Sequence, residues 1–282
     1  MKILLTGASG FIGRAFLNAW KDKYELLAPS HKQLDLLDAG SVESYIRNNR
    51  FDLILHTANT NNIVHAELAD FQLDYNLRMF CNLEKCKDYY GKMFYFGSGA
   101  EYDMLHYAPN MKESYFGSYV PSDPYGFSKY LMSKISEKSD NIYDFRLFGV
   151  YGIGEEWKRR FISNMIYQAL NKTEMRMDRN MMFDYLYIDD LIASIERIID
   201  TTPDYHNYNL CSGKVVSLRD LADIIREETG SNADIVMNST DWKKEYSGDN
   251  RRFVSEFGDI VCTPVRDSIR FMVKYYSDNG FQ

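Results

Sequence analysis

The chain opens with an apolar segment that leads directly into three glycines spaced three residues apart. Residues 3–6 form a predicted strand, Gly7, Gly10 and Gly13 follow, and a helical segment comes next. Gly7 permits a tight strand-to-helix turn, Gly10 lets a phosphate approach the backbone, and Gly13 allows the helix to pack closely. The helix N-terminus presents N–H groups and the positive end of its dipole. We therefore expect a turn that holds the pyrophosphate of a dinucleotide, although the spacing differs from the common G-x-G-x-x-G fingerprint; the alternative is a purely structural turn. The residues expected to contact the dinucleotide here are Gly7, Ser9, Gly10, Phe11, Ile12 and Gly13.

Composition excludes several classes of protein. The chain has 282 residues and a net charge of −7, which argues against a broad basic face for nucleic acid. It contains no apolar run long enough to suggest a membrane span, and a strand at residue 1 leaves no room for a signal peptide. The four cysteines lack the close spacing of metal ligands, so we expect reduced thiols in a cytoplasmic protein without a metal site.

Strand-like and helical segments alternate through the first half of the chain, and the second half is less regular. Such alternation predicts an α/β fold with a Rossmann-type, doubly wound parallel sheet and a small α/β C-terminal lobe. The predicted strands are Ile3–Thr6, Tyr24–Ala28, Phe51–His56, Lys92–Phe96 and Ile142–Leu147. The predicted helices are Gly13–Lys21, Val42–Asn48, Leu68–Tyr89, Pro124–Lys138, Arg160–Leu170, Asp189–Ile199, Ser217–Thr229 and Asp267–Tyr275.

A second informative segment starts a predicted helix at Pro124. Tyr125 and Lys129 lie four residues apart and therefore share one helix face. A nearby ammonium favours the phenolate and lowers the tyrosine pKa from its usual value of about 10. Such a tyrosine can act as general acid or base for an alcohol/ketone pair. Tyr130 and Lys134 have the same spacing, so spacing alone does not choose between the two pairs.

Ser98 ends the fourth predicted strand and precedes Tyr125 by 27 residues. At the carboxyl end of a parallel strand, its hydroxyl can hydrogen-bond the same substrate oxygen as the tyrosine. The alternative for Ser98 is a serine that only terminates the strand.

Together these motifs resemble the extended short-chain dehydrogenase/reductase family, of the nucleotide-sugar epimerase, dehydratase and reductase type. The segments that carry the resemblance occur in family order and are Thr6–Gly13, His56–Ala58, Asn76, Ser98–Tyr102, Tyr125–Lys129, Arg146–Gly152, Asp184–Asp190, Tyr208–Leu210 and Ser217–Leu221. The resemblance implies that Tyr125 transfers the proton, Lys129 lowers its pKa and holds the nicotinamide ribose, and Ser98 orients the substrate oxygen. Asn76 matches the family's helix asparagine, for which a capping or kink role weighs equally. Thr57 and Ala58 are further implied cofactor contacts.

The resemblance also implies a domain division and an assembly. Residues 1–150, with roughly 181–203, would bind the cofactor, and residues 151–180 and 204–282 would form the substrate lobe. A homodimer would form through the predicted helices Leu68–Tyr89 and Pro124–Lys138.

The end of the second strand bears on the choice of dinucleotide. NAD enzymes usually carry Asp or Glu there for the ribose 2′-hydroxyl, whereas this strand runs into Ser30, His31 and Lys32. These side chains suit a 2′-phosphate, so NADP is favoured and NAD is the alternative; His31 and Lys32 could also be plain solvated loop residues. Asp35 and Leu36 resemble the family's adenine-contacting pair.

Departures from the family pattern narrow the reaction. Family 4,6-dehydratases carry an Asp-Glu pair where this chain has Gly99 and Ala100, and Glu101 lies one place too late, on the opposite side of an extended segment. Ala100 also replaces the cysteine of the fucose-nucleotide synthases, and no histidine occurs between His106 and His206. Tyr125 and one hydride remain, which suffice for an NADP-dependent nucleotide-sugar 4-ketoreductase. The alternatives are a nucleotide-sugar 4-epimerase and a non-catalytic NADP-binding sensor or scaffold.

The segment before Asp189 bears on the substrate. Many family members have Arg-Asp-Phe there, and this chain has Phe183-Asp184-Tyr185, so the usual arginine is absent. Arg160 and Arg179 lie in the right region to replace it, although a solvated helix face is the alternative. The residues expected to contact a nucleotide-linked sugar are Ser98, Gly99, Ala100, Tyr125, Arg160 and Arg179.

Overall fold

The computed structural model describes residues 1–60, 71–241 and 245–281, and the chain divides into two compact units. Unit 1 consists of Met1–His106, Glu113–Leu147 and Ile198–Asn209. Unit 2 consists of Tyr107–Lys112, Phe148–Arg197 and Leu210–Gln282. The predicted domains assigned 181–203 to the cofactor-binding part; of these residues, 181–197 lie in unit 2 and 198–203 in unit 1.

The described strands and helices follow each other in βα order through unit 1. In chain order, the strands are β1 (Lys2–Thr6), β2 (Glu25–Leu27), β3 (Leu53–His56), β4 (Lys92–Ser98), β5 (Ile142–Leu147), β6 (Gly149–Tyr151), β7 (Met175–Met177), β8 (Met182–Tyr187), β9 (Asn207–Leu210), β10 (Val215–Ser217) and β11 (Ile235–Met237). The helices are α1 (Phe11–Trp20), α2 (Ala39–Asn49), α3 (Gln72–Glu84), α4 (Pro124–Ser136), α5 (Phe161–Leu170), α6 (Ile188–Ile198), α7 (Leu218–Thr229), α8 (Arg251–Phe257) and α9 (Val265–Asn279).

Within the described residues, six strands form one sheet in the order β2-β1-β3-β4-β5-β9. The pairs from β2 to β5 are parallel, and strands β3, β4 and β5 are buried along almost their whole length. Such continuous burial is typical of parallel sheets covered by helices on both faces. The strand order reverses between β1 and β3, and ligands of open α/β sheets bind at such a point, beyond the carboxyl ends of the strands. The predicted α/β, Rossmann-type fold is confirmed.

Alternate side chains of β4 face opposite sides of the sheet. Met93 and Tyr95 belong to a buried cluster that also contains Phe80 of α3. Phe96 points to the other side, where its ring stacks on Phe16 of α1 at a centroid distance of 5.7 Å. The period of two along the strand therefore gives each helix layer its own core.

Two predicted helices illustrate what the sequence specifies. Helix α7 is capped at both ends: the Ser217 hydroxyl accepts a hydrogen bond from the Asp220 N–H at 3.0 Å, and Gly230 ends the helix with a φ of +63°. The helix predicted over Leu68–Tyr89 is shorter. Helix α3 ends at Glu84, and a separate 3-10 turn follows at Lys87–Tyr89; residues 68–70 lie outside the described part.

Unit 2 contains short strands and five helices among its described residues. Strand β8 pairs antiparallel with β10 and parallel with β6, and β7 pairs parallel with β11. Helices α5, α7 and α9 pack on one another. None of the helices in the described ranges is long and apolar enough to cross a membrane. The same ranges hold no group of three or more His, Cys, Asp or Glu side chains placed to bind a metal ion.

Candidate active site

The glycine turn joins β1 to α1 and packs against the loop after β3. A Cβ on Gly13 would lie 2.1 Å from the Gly7 carbonyl oxygen, and one on Gly7, whose φ is +72°, would lie 2.5 Å from the Ala58 nitrogen. Both glycines are therefore required by the turn itself. Among the described residues, a Cβ on Gly10 would meet only the Gly7 oxygen, at an ordinary 3.4 Å. This part of the chain thus leaves open the space over Gly10.

The first turn of α1 has no side-chain cap from its own N-cap residue. That residue is Gly10, which makes no side-chain hydrogen bond to the helix N–H groups. Ser9 is exposed, and Phe11 and Ile12 are half-buried beside it. Uncapped N–H groups beside open space fit a dinucleotide pyrophosphate, as the sequence predicts.

Thr57 and Ala58 brace this turn from the end of β3. The Thr57 hydroxyl donates to the Thr6 carbonyl oxygen at 2.6 Å, and the Ala58 N–H donates to the Thr6 hydroxyl at 3.5 Å. The Thr6 hydroxyl also meets Nδ1 of buried His56 at 2.8 Å. Burial and the nearby Lys129 ammonium lower the His56 pKa to about 3, so its ring is neutral.

The predicted 2′-phosphate residues lie in the loop after β2. Ser30, His31 and Lys32 are exposed, and the Ser30 hydroxyl donates to Gln33 Oε1 at 2.9 Å. His31 Nε2 lies 3.4 Å from Asp35 Oδ1.

The predicted adenine-contacting pair has its own local contacts. Asp35 Oδ1 accepts the Leu37 N–H at 2.9 Å, and Leu36 is buried in the core of unit 1. The loop therefore offers the exposed side chains of Ser30 and His31 as hydrogen-bond donors and Lys32 as a cation. The Asp35 carboxylate contacts groups within the same loop.

Ser98 ends β4 and caps the 3-10 turn Gly99–Tyr102. Its hydroxyl accepts the Ala100 N–H at 3.2 Å, and its own N–H donates to Glu101 Oε1 at 2.9 Å. The segment is not extended, because this reciprocal capping box folds the chain back on itself. Glu101 consequently turns inward and is fully buried.

Burial distinguishes the two Tyr/Lys pairs of helix α4. Lys129 is 4% exposed, and its Nζ donates to the Phe96 carbonyl oxygen at 2.8 Å and lies 6.0 Å from the Tyr125 ring centroid. The Lys134 side chain is 39% exposed and pairs with Glu137 at 3.2 Å. Only the first lysine is held inside the sheet-facing interior, which favours the Tyr125–Lys129 pair.

The start of α4 lies against the turn that follows Ser98. Asp123 Oδ1 accepts the Gly126 N–H at 2.8 Å and so caps the helix. A Cβ on Gly126 would lie 2.8 Å from the Ala100 oxygen, so the two backbones touch. The structure thus joins the turn after Ser98 to the helical turn that carries Tyr125.

Desolvation acts on the buried lysine. Complete burial lowers the Lys129 pKa to about 8, and the nearby carboxyl groups of Glu101 and Asp144 oppose that fall. A lysine with this pKa is an ammonium at neutral pH, as the predicted role requires.

Both the oxygen and the nitrogen of the Asn76 side-chain amide hydrogen-bond to the loop after β3. Its Oδ1 accepts the Thr60 N–H at 2.7 Å, and its Nδ2 donates to the Thr60 carbonyl oxygen at 3.2 Å. Gln72 donates to the same oxygen at 3.0 Å. This asparagine braces the loop, and its catalytic role stays a prediction.

Sequence reasoning missed the charges buried beneath this site. Glu101, Asp144 and Arg146 have no exposed surface, and Arg146 served only as a marker of the family. A signal was present: strand β5 carries Asp144 and Arg146 at alternate positions in an otherwise apolar run, which places both on one face.

The predicted phosphate-binding arginines lie on separate elements of unit 2. Arg160 is the exposed N-cap residue of α5, and Arg179, beyond β7, donates to Asp178 at 2.9 Å. Asp184, in the segment that lacks the family arginine, is buried and accepts hydrogen bonds from Ser212 and Gly213.

A family comparison covers most of the chain. Residues 3–211 match the model of the NAD dependent epimerase/dehydratase family.

Two sequence relatives match over short stretches. A GDP-L-colitose synthase from Yersinia pseudotuberculosis is 38% identical over 87 residues, which span 29% of this chain and 28% of that protein. A GDP-L-fucose synthase from Azorhizobium caulinodans is 39% identical over 70 residues, which span 24% of this chain and 22% of that protein. The matched part is thus less than a third of either relative. A GDP-6-deoxy-D-talose 4-dehydrogenase from Aggregatibacter actinomycetemcomitans is 24% identical over 97% of both chains.

Solved structures share the fold at low identity. A GDP-L-fucose synthetase from Naegleria fowleri has a TM-score of 0.84 at 16% identity, covering 98% of this chain and 93% of its own. A GDP-mannoheptose C4 reductase from Campylobacter jejuni, solved with NADP, has a TM-score of 0.81 at 18% identity and 98% coverage of both. A UDP-glucose 4-epimerase from Thermotoga maritima has a TM-score of 0.80 at 18% identity and 99% coverage of both.

Proposed function

Because the chain belongs to the NAD dependent epimerase/dehydratase family of NAD(P)-dependent enzymes, we propose that it is an NADP-dependent nucleotide-sugar 4-ketoreductase. The arrangement of residues around Tyr125 carries this proposal. Lys129 is buried beside Tyr125, the helical turn that holds Tyr125 touches the turn after Ser98, and Gly99 and Ala100 add no acid or base. Among the described residues of the site, Tyr125 is therefore the proposed proton-transfer group, and Gly99 and Ala100 supply no acid or base for the elimination of water.

The glycine turn and the end of β3 would hold the dinucleotide, with its pyrophosphate over Gly10. When bound, the nicotinamide supplies the hydride. Exposed Ser30, His31 and Lys32, without a carboxylate at the end of β2, support NADP. The NADP-bound Campylobacter reductase has the same fold; NAD is the alternative.

The chain's own groups then handle the proton. The Ser98 hydroxyl accepts the Ala100 N–H and so retains its own proton to donate to the ketone oxygen. Tyr125 transfers its hydroxyl proton to that oxygen, and the Lys129 ammonium stabilises the phenolate left behind. The product is the corresponding alcohol at C4.

The substrate class rests on the relatives, whose names specify GDP- and UDP-linked sugars. Arg160 and Arg179 are the proposed contacts to the nucleotide phosphates. In the proposed division of labour, 1–150 with 181–203 bind cofactor, and 151–180 with 204–282 bind the sugar nucleotide. A homodimer through α3 and α4 belongs to the same proposal.

A nucleotide-sugar 4-epimerase is the second candidate. It is favoured by the fold shared with the Thermotoga epimerase and by the sufficiency of one tyrosine and one hydride for that reaction. A silent sensor is not proposed, because both Tyr125 and Lys129 are present.

The test is incubation with NADPH and a panel of CDP-, GDP-, UDP- and dTDP-linked 4-keto-6-deoxy sugars. Stoichiometric loss of NADPH absorbance with formation of an alcohol supports the ketoreductase. Interconversion of 4-epimers of sugar nucleotides without net loss of cofactor would establish the epimerase instead. Absence of dinucleotide binding would overturn both.

A further inference from the structure

A cluster of fully buried charges lies beneath the turn that follows Ser98. Arg146 Nε donates to Glu101 Oε2 at 2.6 Å and to Asp144 Oδ2 at 3.1 Å, and none of the three side chains is exposed. Buried charges are costly unless each is paired and hydrogen-bonded. Their presence under a functional turn calls for a reason beyond stability.

Every nitrogen of the Arg146 guanidinium has a partner. Nη1 donates to the Tyr102 hydroxyl at 2.9 Å, and Nη2 donates to the Ser133 hydroxyl at 2.7 Å. The Ser133 hydroxyl in turn donates to Asp144 Oδ2 at 2.7 Å. Ser133 follows Lys129 by one turn of α4, so the arginine ties β5, the turn after β4 and the catalytic helix together.

Glu101 links this cluster to the catalytic groups. Its Oε1 accepts the Ser98 N–H at 2.9 Å and lies 3.2 Å from the Tyr95 hydroxyl. The same hydroxyl lies 3.3 Å from the Lys129 carbonyl oxygen. Glu101 is therefore one hydrogen bond from Ser98 and one bridging hydroxyl from Lys129.

The two carboxyl groups of the cluster are not equivalent. A Cβ on Gly97 would lie 2.1 Å from Asp144 Oδ1 and 2.3 Å from Glu101 Oε1, so both oxygens converge over this bare backbone. Burial and the neighbouring Glu101 charge raise the Asp144 pKa well above its ordinary value. Arg146 Nε lies closer to Glu101 Oε2, at 2.6 Å, than to Asp144 Oδ2, at 3.1 Å.

Lys129 faces titratable groups from several elements. They are Glu101 and Asp144 of the cluster, His56 of β3, Tyr95 of β4 and Tyr125 of α4 itself. His56 is neutral, because burial lowers its pKa to about 3, and burial with adjacent carboxylates raises the Tyr95 pKa. Glu101 and Asp144 both raise the Lys129 pKa against the effect of burial, and Glu101 raises it more.

We propose that Glu101 is a positioning residue of this active site: held by Arg146, it fixes the Ser98 turn and the Lys129 segment of α4. The inference rests on the proposed function for its catalytic consequences. The effect of Glu101 on the Lys129 pKa concerns the folded chain alone and needs neither cofactor nor substrate.

The experiment compares Glu101→Gln with Asp144→Asn in the full chain, with exposed Glu43→Gln as the matched control. In Glu101→Gln we expect the alkaline limb of kcat/KM to move about 1 pH unit lower, because Lys129 loses its supporting charge. We expect kcat to fall about tenfold, with KM for the sugar nearly unchanged, because Ser98 loses its anchor. Asp144→Asn should move the limb less, because Glu101 raises the Lys129 pKa more than Asp144 does, and it leaves the Glu101 bond to the Ser98 N–H in place.

A ligand-free measurement separates this inference from the proposed function. Lys129 has a pKa of about 8 when folded, below its unfolded value, so the unfolded chain binds more protons and stability rises with pH above about 8. In Glu101→Gln this rise starts at lower pH, in Asp144→Asn the shift is smaller, and in Glu43→Gln the rise does not shift. If no sugar is reduced but this shift is present, the proposed function fails and the electrostatic role of Glu101 stands.

Three results would overturn the proposal. One is a Glu101→Gln protein that is less stable but keeps the wild-type pH profile and kcat. Another is an Asp144→Asn protein whose alkaline limb moves as far as that of Glu101→Gln. Should Glu101→Gln not fold, Tyr95→Phe removes only the bridging hydroxyl, and we then expect a lower kcat with an unmoved limb. A wild-type kcat in Tyr95→Phe would contradict the link to Lys129.

Discussion

The glycine turn and the charge cluster under Ser98 lie at the carboxyl ends of strands in the same sheet, and they have opposite structural requirements. The turn at residues 7–13 works by leaving side chains out: two glycines permit close packing, and Gly10 leaves open space beside helix N–H groups. The cluster works by filling the interior with paired charges around Arg146. Binding a phosphate needs room and backbone donors, whereas holding catalytic side chains in register needs a rigid, fully bonded interior.

The largest effect is expected in the cluster. Arg146→Met leaves Glu101 buried without its counterion, and we expect a loss of about 4 kcal/mol in the free energy of unfolding. Urea titration at neutral pH measures it. Arg47, an exposed partner of Glu43 on α2, gives the control Arg47→Met, which should cost less than about 1 kcal/mol. Equal losses of unfolding free energy in both variants would mean that burial does not increase the contribution of the cluster to stability.

The second-largest effect is expected from a steric clash introduced into the glycine turn. Gly13→Ala places a methyl group 2.1 Å from the Gly7 carbonyl oxygen, so α1 must move away from β1. We expect a loss of about 3 kcal/mol together with loss of NADPH binding. Thermal unfolding and dinucleotide titration check both; wild-type stability would contradict the assigned packing role.

Acid sensitivity should belong to the turn region rather than to the cluster. His56 is neutral when folded, with a pKa of about 3, and titrates near 6.5 when unfolded. The unfolded chain therefore binds more protons below about pH 6.5, and stability falls as the pH decreases toward 3. Near pH 5 we expect His56 to account for about 2 kcal/mol of this loss. His56→Asn should flatten the slope of unfolding free energy against pH in this window; an unchanged slope would refute the assignment.

The smallest effect separates binding from folding. Gly10→Ala adds a methyl group where the chain itself leaves 3.4 Å, so its melting temperature should match that of the wild type. NADPH affinity should fall about tenfold, because the methyl group occupies the space proposed for the pyrophosphate. Fluorescence titration gives the Kd. Unchanged affinity would place the phosphate elsewhere.

The two regions also differ in how far sequence predicts them. Three features depend on residues within a few positions of each other and can therefore be predicted from local sequence. They are the glycine turn, the cap of α4 at Asp123 and the cap of α7 at Ser217. The strands of unit 2 were missed, because β7, β10 and β11 have only three residues each and pair with distant segments.

The roles of Glu101 and Asn76 could not be predicted from local sequence either, because both side chains pair with distant segments. The side to which Glu101 points depended on whether its segment is extended; a capping box bends the segment inward, and Glu101 there pairs with Arg146, 45 residues later. Asn76 binds Thr60, 16 residues earlier, a contact that no local pattern announces. Long-range pairing of polar groups decides both, and helical or strand periodicity carries no information about it.

Hydride transfer with matched tyrosine variants tests the central claim most directly. Tyr125 and Tyr130 lie on the same helix, each four residues before a lysine, and only Lys129 is buried. With NADPH and a reducible 4-keto sugar nucleotide, Tyr125→Phe should lower kcat about 10³-fold, and Tyr130→Phe should stay within about twofold of the wild type. Full turnover in Tyr125→Phe, or an equal loss in Tyr130→Phe, would contradict the assignment of Tyr125 as the proton donor.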